Sequence, residues 1–301
     1  MKTCIWIVAA ALLPLGCGGD GVPSAQGMSP DVPRAWEGAP LKANQRHAAI
    51  DAAALKFKAL VDAHATKPFE SLALWMRGQK SLWSYAAGSE GSRTVSARFV
   101  DGRKFLFLDN FAFNQERASQ PFPASLVRED EILKGKTGVV YSGQRDEFIG
   151  QGDSFLKAIG YLKEAGYAVV GIKPLPLASL KAFGKPSFAI VHAHGGVWTG
   201  AGTEYMISSE EKVTDATEAL YAADLDAGNL AYTCNGLLAR LGLSSRGRYL
   251  VGSGWVRKYW SFGEGAMAIL YACNSGSASA AAFREAVFGK AGGQATIIGW
   301  N

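Results

Sequence analysis

Histidine and cysteine are scarce in this 301-residue chain, four of each, and their positions exclude much. The histidines are His47, His64, His192 and His194, so none follows Cys273 or any serine near it. An α/β-hydrolase needs serine, acid and histidine in that order, with the serine in a G-x-S-x-G elbow. The chain has neither the elbow nor a downstream histidine. Papain-like enzymes place the cysteine before the histidine, and here the upstream cysteines, Cys4 and Cys17, lie in the leader region. Charge of one sign is not concentrated either. The net charge is +5, but Lys and Arg are scattered, with no basic stripe or interleaved aromatic platform, so no nucleic-acid partner is expected. After the first residues no apolar run is long enough to span a bilayer.

What is present begins with an export signal. Lys2 supplies a positive n-region and Ile5 to Leu15 an apolar h-region too short for a stable membrane span, so residues 1–16 read as a signal peptide. The run ends Leu15-Gly16-Cys17, followed by Gly18-Gly19-Asp20. These residues resemble the bacterial lipoprotein box, which implies that Cys17 is the lipidated first residue of an exported, envelope-anchored protein. Pro14 departs from the usual residue three before the cysteine and keeps ordinary secretion as the alternative. Gly18 to Pro40, with Pro23, Pro30, Pro33 and Pro40, cannot bury enough apolar surface to fold; residues 17–42 read as lipid site plus flexible tether. Only Cys234 and Cys273 then remain in the folded body, and in an oxidising compartment they also suit a disulfide.

The folded body divides in two on this reading. Gln45 to Ala65 carries Ile50, Ala53, Ala54, Phe57, Leu60 and Val61 at helical spacing. Phe69 to Tyr85 reads as a second helix or compact segment, with Trp75 and Trp83 in the core. From Thr94 the period changes to two, and Asp101-Gly102 between two apolar runs predicts a hairpin. Residues 43–135 are therefore expected as an N-terminal helix-plus-hairpin module. Residues 136–301 switch to strand–helix–strand: strands near 138–142, 168–172 and 188–192, helices from Ser154 to Ala165 and Leu177 to Phe183, with Gly166 as a helix C-cap. Such units imply a mostly parallel α/β sheet flanked by helices. Between Val197 and Gly265 the pattern predicts a hairpin (Val197–Thr199 against Tyr205–Ser208), helices at Thr214–Ala223 and Leu230–Leu241, and a short helix capped by Ser253. A long strand then runs into Cys273, followed by a helix from Ser279 to Val287 and a final strand near Ala295–Trp300.

Two apolar strands end in chemistry-bearing residues. Phe188-Ala189-Ile190-Val191 runs into His192-Ala193-His194-Gly195-Gly196, and Ala266-Met267-Ala268-Ile269-Leu270-Tyr271-Ala272 into Cys273-Asn274-Ser275-Gly276. Carboxyl ends of parallel strands are where open α/β sheets bind ligands. The His-x-His spacing puts two rings on one face, as in several metal hydrolases, but those sites need further ligands at matching strand ends and no later histidine exists, so no metal is expected. A thiol beside an imidazole is a better chemical pair, because the imidazole generates the thiolate or takes its proton during attack. Gly195 and Gly196 are expected to let the backbone bend so that a Gly195 N–H joins the Cys273 N–H as oxyanion donors. The plain alternative is a small buried cysteine beside a satisfied polar histidine.

The arrangement resembles the caspase, legumain, gingipain and separase group of cysteine peptidases, including bacterial CHAT-type domains. Their hallmark is an apolar strand ending in His-Gly and a later one ending in Ala-Cys; His194-Gly195 and Ala272-Cys273 match these in order. Arg248 to Val251 through Trp255 to Tyr259 is similar to the strand–helix piece before the cysteine strand, and Ile298-Gly299-Trp300 to the strand after it. The resemblance covers roughly Lys136 to the end. It implies a caspase-like fold and an endopeptidase in which His194 and Cys273 are catalytic, with a peptide or protein substrate and no cofactor. Tyr271 stands where the group often has a polar or acidic residue. Arg145, Asp146 and Asp153, after the first strand of the sheet, are expected on the edge that lines the substrate pocket, together with Tyr271 and Ser275. The chain stops one residue after Trp300, where the group has a further strand and loop, so truncation, or substitution by the N-terminal hairpin, is expected. The reading from another class is a non-catalytic surface lipoprotein that keeps the fold for binding.

Overall fold

The structure is a computed structural model that describes residues 40–84, 93–109, 137–142, 152–173, 175–200, 202–241, 246–263, 266–290 and 296–299. Among the described residues come first helices α1 (Ala43–Asp62) and α2 (Pro68–Arg77) and strands β1 (Leu82–Ser84), β2 (Thr94–Phe99), β3 (Lys104–Leu108) and β4 (Thr137–Ser142). Next come α3 (Gly152–Glu164), β5 (Ala168–Lys173), α4 (Leu177–Lys181), β6 (Phe188–His192), β7 (Gly195–Thr199) and β8 (Thr203–Lys212). The remainder holds α5 (Asp215–Leu220), α6 (Ala222–Asp226), β9 (Leu230–Asn235), α7 (Gly236–Arg240), β10 (Arg246–Val251), α8 (Ser253–Tyr259), β11 (Met267–Tyr271), α9 (Ala281–Lys290) and β12 (Thr296–Gly299).

The strands assort into two sheets in two units. The first unit holds the described residues 40–109 and 196–255, around a seven-stranded mixed sheet ordered β1-β2-β3-β9-β10-β8-β7. Its seed is the expected hairpin: β2 and β3 pair from Thr94↔Leu108 to Arg98↔Lys104, and Gly102 takes the turn's positive φ of 90°. The expected single boundary after residue 135 does not describe this arrangement. β3 pairs in parallel with β9, Phe105 opposite Tyr232 and Phe107 opposite Cys234, so residues 196–255 complete the sheet that the hairpin begins. The helix expected over Leu230–Leu241 is likewise corrected to strand β9, with helix only from Gly236. β9 is a central strand whose first five residues are all buried, and a strand covered on both faces loses the alternation that would distinguish it from a buried helix.

Both faces of this sheet are covered. Helix α1 buries Ile50, Ala53, Ala54 and Phe57, and the Phe57 ring lies 5.0 Å from Phe69 and 4.7 Å from Phe107. On the other face Leu106 and Leu108 cluster with Trp198, Met206, Ala231 and Leu250. The sheet curls until its edge strand β7 meets β2, where the Trp198 indole N–H donates to the Ala97 carbonyl at 3.1 Å.

A buried ion cluster ties α1 to the rest of this unit. The Glu218 carboxylate accepts from Arg46 Nε at 2.8 Å and Arg103 Nη1 at 3.0 Å, and its second oxygen lies 3.0 Å from His47 Nε2. Arg46 also pairs with Asp101 beside the hairpin turn, and Arg103 with Asp226 and the Tyr232 hydroxyl. Glu218, Arg46, His47 and Arg103 are all buried, so removing the shared carboxylate strands cations away from water. Glu218→Ala is expected to cost about 3–5 kcal/mol in urea denaturation. A loss below about 1 kcal/mol, the scale of an exposed pair, would contradict a buried hub.

The second unit holds the described residues 137–195 and 256–299 and is built on five parallel strands ordered β12-β11-β6-β4-β5. Its mixed α/β character is the expected one, with the apolar runs of β4, β6 and β11 buried as parallel strands are. On one face Val140, Ile190 and Ile269 meet Phe155, Ala158, Ile159 and Leu162 of α3. Gly166 ends that helix at φ +81°, and the Tyr167 amide returns to the Leu162 carbonyl at 2.9 Å, as a left-handed C-cap does. On the other face Tyr141 stacks on Phe183 and Phe183 on Trp260, with ring centroids 5.0 and 4.3 Å apart, and Phe283 of α9 meets Trp260 edge-on. In order of appearance the strands run second, first, third, fourth, fifth. The chain reverses direction across the sheet between β4 and β6, and the crevice outside the carboxyl ends at such a switch is where open α/β sheets bind ligands.

Candidate active site at the carboxyl ends of β6 and β11

Strand β6 is paired on both sides. Its last residue, His192, is opposite Ser142 of β4 and Tyr271 of β11. The Ala193 amide donates to the Tyr271 carbonyl at 3.2 Å, so the β6–β11 ladder continues one residue beyond the strand. His194 and Cys273 each stand two residues past this shared row. Neighbouring strands lie about 4.8 Å apart, so the two backbones leave the sheet side by side.

The two histidines have different surroundings. His192 is 1% exposed, its Nδ1 lies 3.1 Å from the Ser142 hydroxyl, and its ring is flanked by Phe155 at 4.8 Å and Tyr271 at 5.1 Å. Burial, reinforced by His194, pushes its pKa down to about 3, so the ring is neutral throughout the neutral range. His194 is partly exposed beyond it. A ring that stays neutral cannot shuttle a proton near neutral pH, whereas the outer histidine has access to solvent and to the strand ends.

Cys273 is partly exposed, and neither it nor the buried Cys234 forms a disulfide. It occupies the first central position of a tight turn closed by the Ser275 amide on the Ala272 carbonyl at 3.1 Å. Asn274, the second central residue, has φ 59°, the left-handed conformation that asparagine tolerates better than most residues. Ser275 is fully buried and donates its hydroxyl to the Leu270 carbonyl at 2.7 Å. It therefore braces the turn from inside. Tyr271 is half-buried, with its ring edge-on to Phe155 of α3 and tilted against His192. Gly195 and Gly196 do not adopt a left-handed bend; Gly195 is buried and opens β7 directly.

Arg145, Asp146 and Cys17 lie outside the described residues. Asp153 falls in the first turn of α3, with its side chain outside the described set. Two participants were not singled out from the sequence. Ser142 was readable only as a strand end, and its contact with His192 depends on the β4–β6 register. Arg284, on α9, reaches back to the Cys273 turn and carries no local motif. Among the described residues no three or more His, Cys, Asp or Glu side chains come together as a metal-binding group, and no helix is long and apolar enough to cross a membrane.

Comparison with family models, curated proteins and solved structures finds no match. The site therefore rests on its own geometry: a partly exposed thiol and a partly exposed imidazole leaving adjacent parallel strands beside the switch point.

The buried histidine has a measurable signature. His192 is neutral when folded but titrates near 6.5 when unfolded, so the unfolded chain binds the extra proton as pH drops. Its stability contribution is intact above about pH 6.5 and is lost progressively as pH falls toward 3. Between about pH 7 and about pH 5 this one group removes about 2 kcal/mol. Urea denaturation at both values should show that slope, and His192→Phe should flatten it by the same amount. Equal slopes in the two proteins would show that His192 is not held neutral.

Proposed function

We propose that the chain is a cysteine endopeptidase of the caspase-like kind, with Cys273 as nucleophile and His194 as acid and base. The observation that carries this reading is the register: Ser142, His192 and Tyr271 share the last paired row, and His194 and Cys273 leave it two residues later on adjacent strands. The order of the two motifs and the second, first, third, fourth, fifth strand sequence also support it. The leader ending in Cys17 supports export and attachment to the cell envelope by a lipid.

In this mechanism the Cys273 thiolate attacks a peptide carbonyl carbon. The resulting oxyanion accepts hydrogen bonds from the Cys273 and Gly195 amides, which are stronger for the anion than for the ground-state carbonyl. The tetrahedral intermediate collapses by breaking the C–N bond, and His194 gives its proton to the departing amine. The product is a thioester. A water molecule then attacks it, His194 takes the proton, and the C–S bond breaks to release the carboxylic acid and restore the Cys273 thiolate beside protonated His194. Buried and neutral, His192 keeps a second positive charge away from His194 while filling the space between Ser142, Phe155 and Tyr271.

A library of thiol-directed peptidyl probes tests the assignment. Covalent modification is expected on Cys273, read from the tryptic peptide that contains it. Cys273→Ala should abolish both labelling and turnover, and His194→Ala should slow turnover by about 10²–10⁴-fold. Labelling that persists unchanged in both variants would sink the dyad, and the peptide sequences that react report the cleavage preference.

A further inference from the structure

The turn carrying Cys273 is held from outside by a side chain of the following helix. Arg284, in the first turns of α9, directs Nη1 to the carbonyl oxygens of Ser275 and Ser277, both at 2.7 Å. Hydrogen bonds from a guanidinium are shorter and stronger than neutral ones, and two from one nitrogen fix both carbonyls relative to the helix. Around them the backbone is closely bonded. The Ser277 amide and hydroxyl both donate to the Asn274 carbonyl, at 3.1 and 2.7 Å. The Ser275 hydroxyl donates to the Leu270 carbonyl, and the Ser277 hydroxyl lies 2.6 Å from that of Ser279. At the centre is Asn274, a non-glycine residue at φ 59°. Asparagine takes this conformation more readily than most residues, and here the bonds around it hold the turn in that geometry.

We propose that Arg284 is a positioning residue for Cys273. Through the Ser275 and Ser277 carbonyls it holds Asn274 left-handed, and with it the orientation of the Cys273 thiol and amide. In a turn with positive φ at its second central position, the peptide plane between the two central residues is fixed by that φ. Relaxation of Asn274 to an ordinary conformation would rotate this plane and move the nucleophile's backbone with it. Placement of a reacting group is used in the transition state more than in substrate binding, so its loss lowers kcat rather than raising KM. This role in turnover rests on the peptidase reading; the hold on the turn does not.

The experiment measures both separately on the full-length protein. Hydrogen exchange of the peptide covering residues 272–278 reads the turn, and steady-state kinetics on a cleaved peptide reads the chemistry. Arg284→Ala is expected to speed exchange in that peptide about tenfold or more, with exchange in β4 and β6 unchanged. It should lower kcat about 10–100-fold with KM within about twofold. Arg284→Lys, which keeps the cation but offers a point charge in place of the planar fork, should recover part of both. Unchanged exchange in Arg284→Ala overturns the proposal outright. Faster exchange with kcat per folded molecule unchanged also overturns it, leaving the arginine a purely structural brace. Should the wild-type protein prove inactive on every peptide, the peptidase reading fails, and the exchange measurement alone then decides whether Arg284 holds the turn.

Discussion

The structure around the site depends on one constraint, the double pairing of strand β6. Its register with β4 fixes Ser142 beside His192, and its register with β11 fixes Tyr271 on the other side. A one-residue slip of either neighbour would turn its whole apolar set to the other face and separate the residues at the strand ends. That slip is opposed by the core beneath. Val140, Ile190 and Ile269 lie on one face against α3, and Tyr141, Phe183 and Trp260 stack on the opposite one. The positions of His194 and Cys273 thus follow from burial several residues away from either.

Burial also divides labour between neighbours of similar chemistry. Two histidines two positions apart look interchangeable as a sequence, yet one is enclosed by two aromatic rings and a serine and the other is partly exposed. Cys273 and Ser275 make a similar pair. The first presents a partly exposed thiol, while the second turns inward to close the loop it belongs to. In both pairs the inner residue is buried and the outer one is partly exposed.

How much of this was legible beforehand depended on the range of the interaction. Local signals were readable. Asp101-Gly102 marked the hairpin, Gly166 marked the end of α3, and unbroken apolar runs marked β6 and β11. Pairing across long sequence separation was not. Nothing near Lys104 announces Leu230–Asn235 as its parallel neighbour, and the doubly covered β9 resembles a buried helix in its pattern. The ion cluster of Arg46, Arg103 and Glu218 is invisible for the same reason, since each member alone is an ordinary charged residue on its own element. At the site, the strand ends were legible but the supports were not. Ser142 reaches His192 only through register, and Arg284 reaches the Cys273 turn only through the way α9 folds back.

The central claim is that His194 and Cys273 act as a pair, and the rate of iodoacetamide alkylation of Cys273 against pH tests it most directly. An ordinary thiol alkylates with a midpoint of about 8.5, because only the thiolate reacts. Such a pair predicts a midpoint for Cys273 clearly below that value, and its return toward about 8.5 in His194→Ala. An ordinary midpoint that is identical in wild type and His194→Ala would contradict the account.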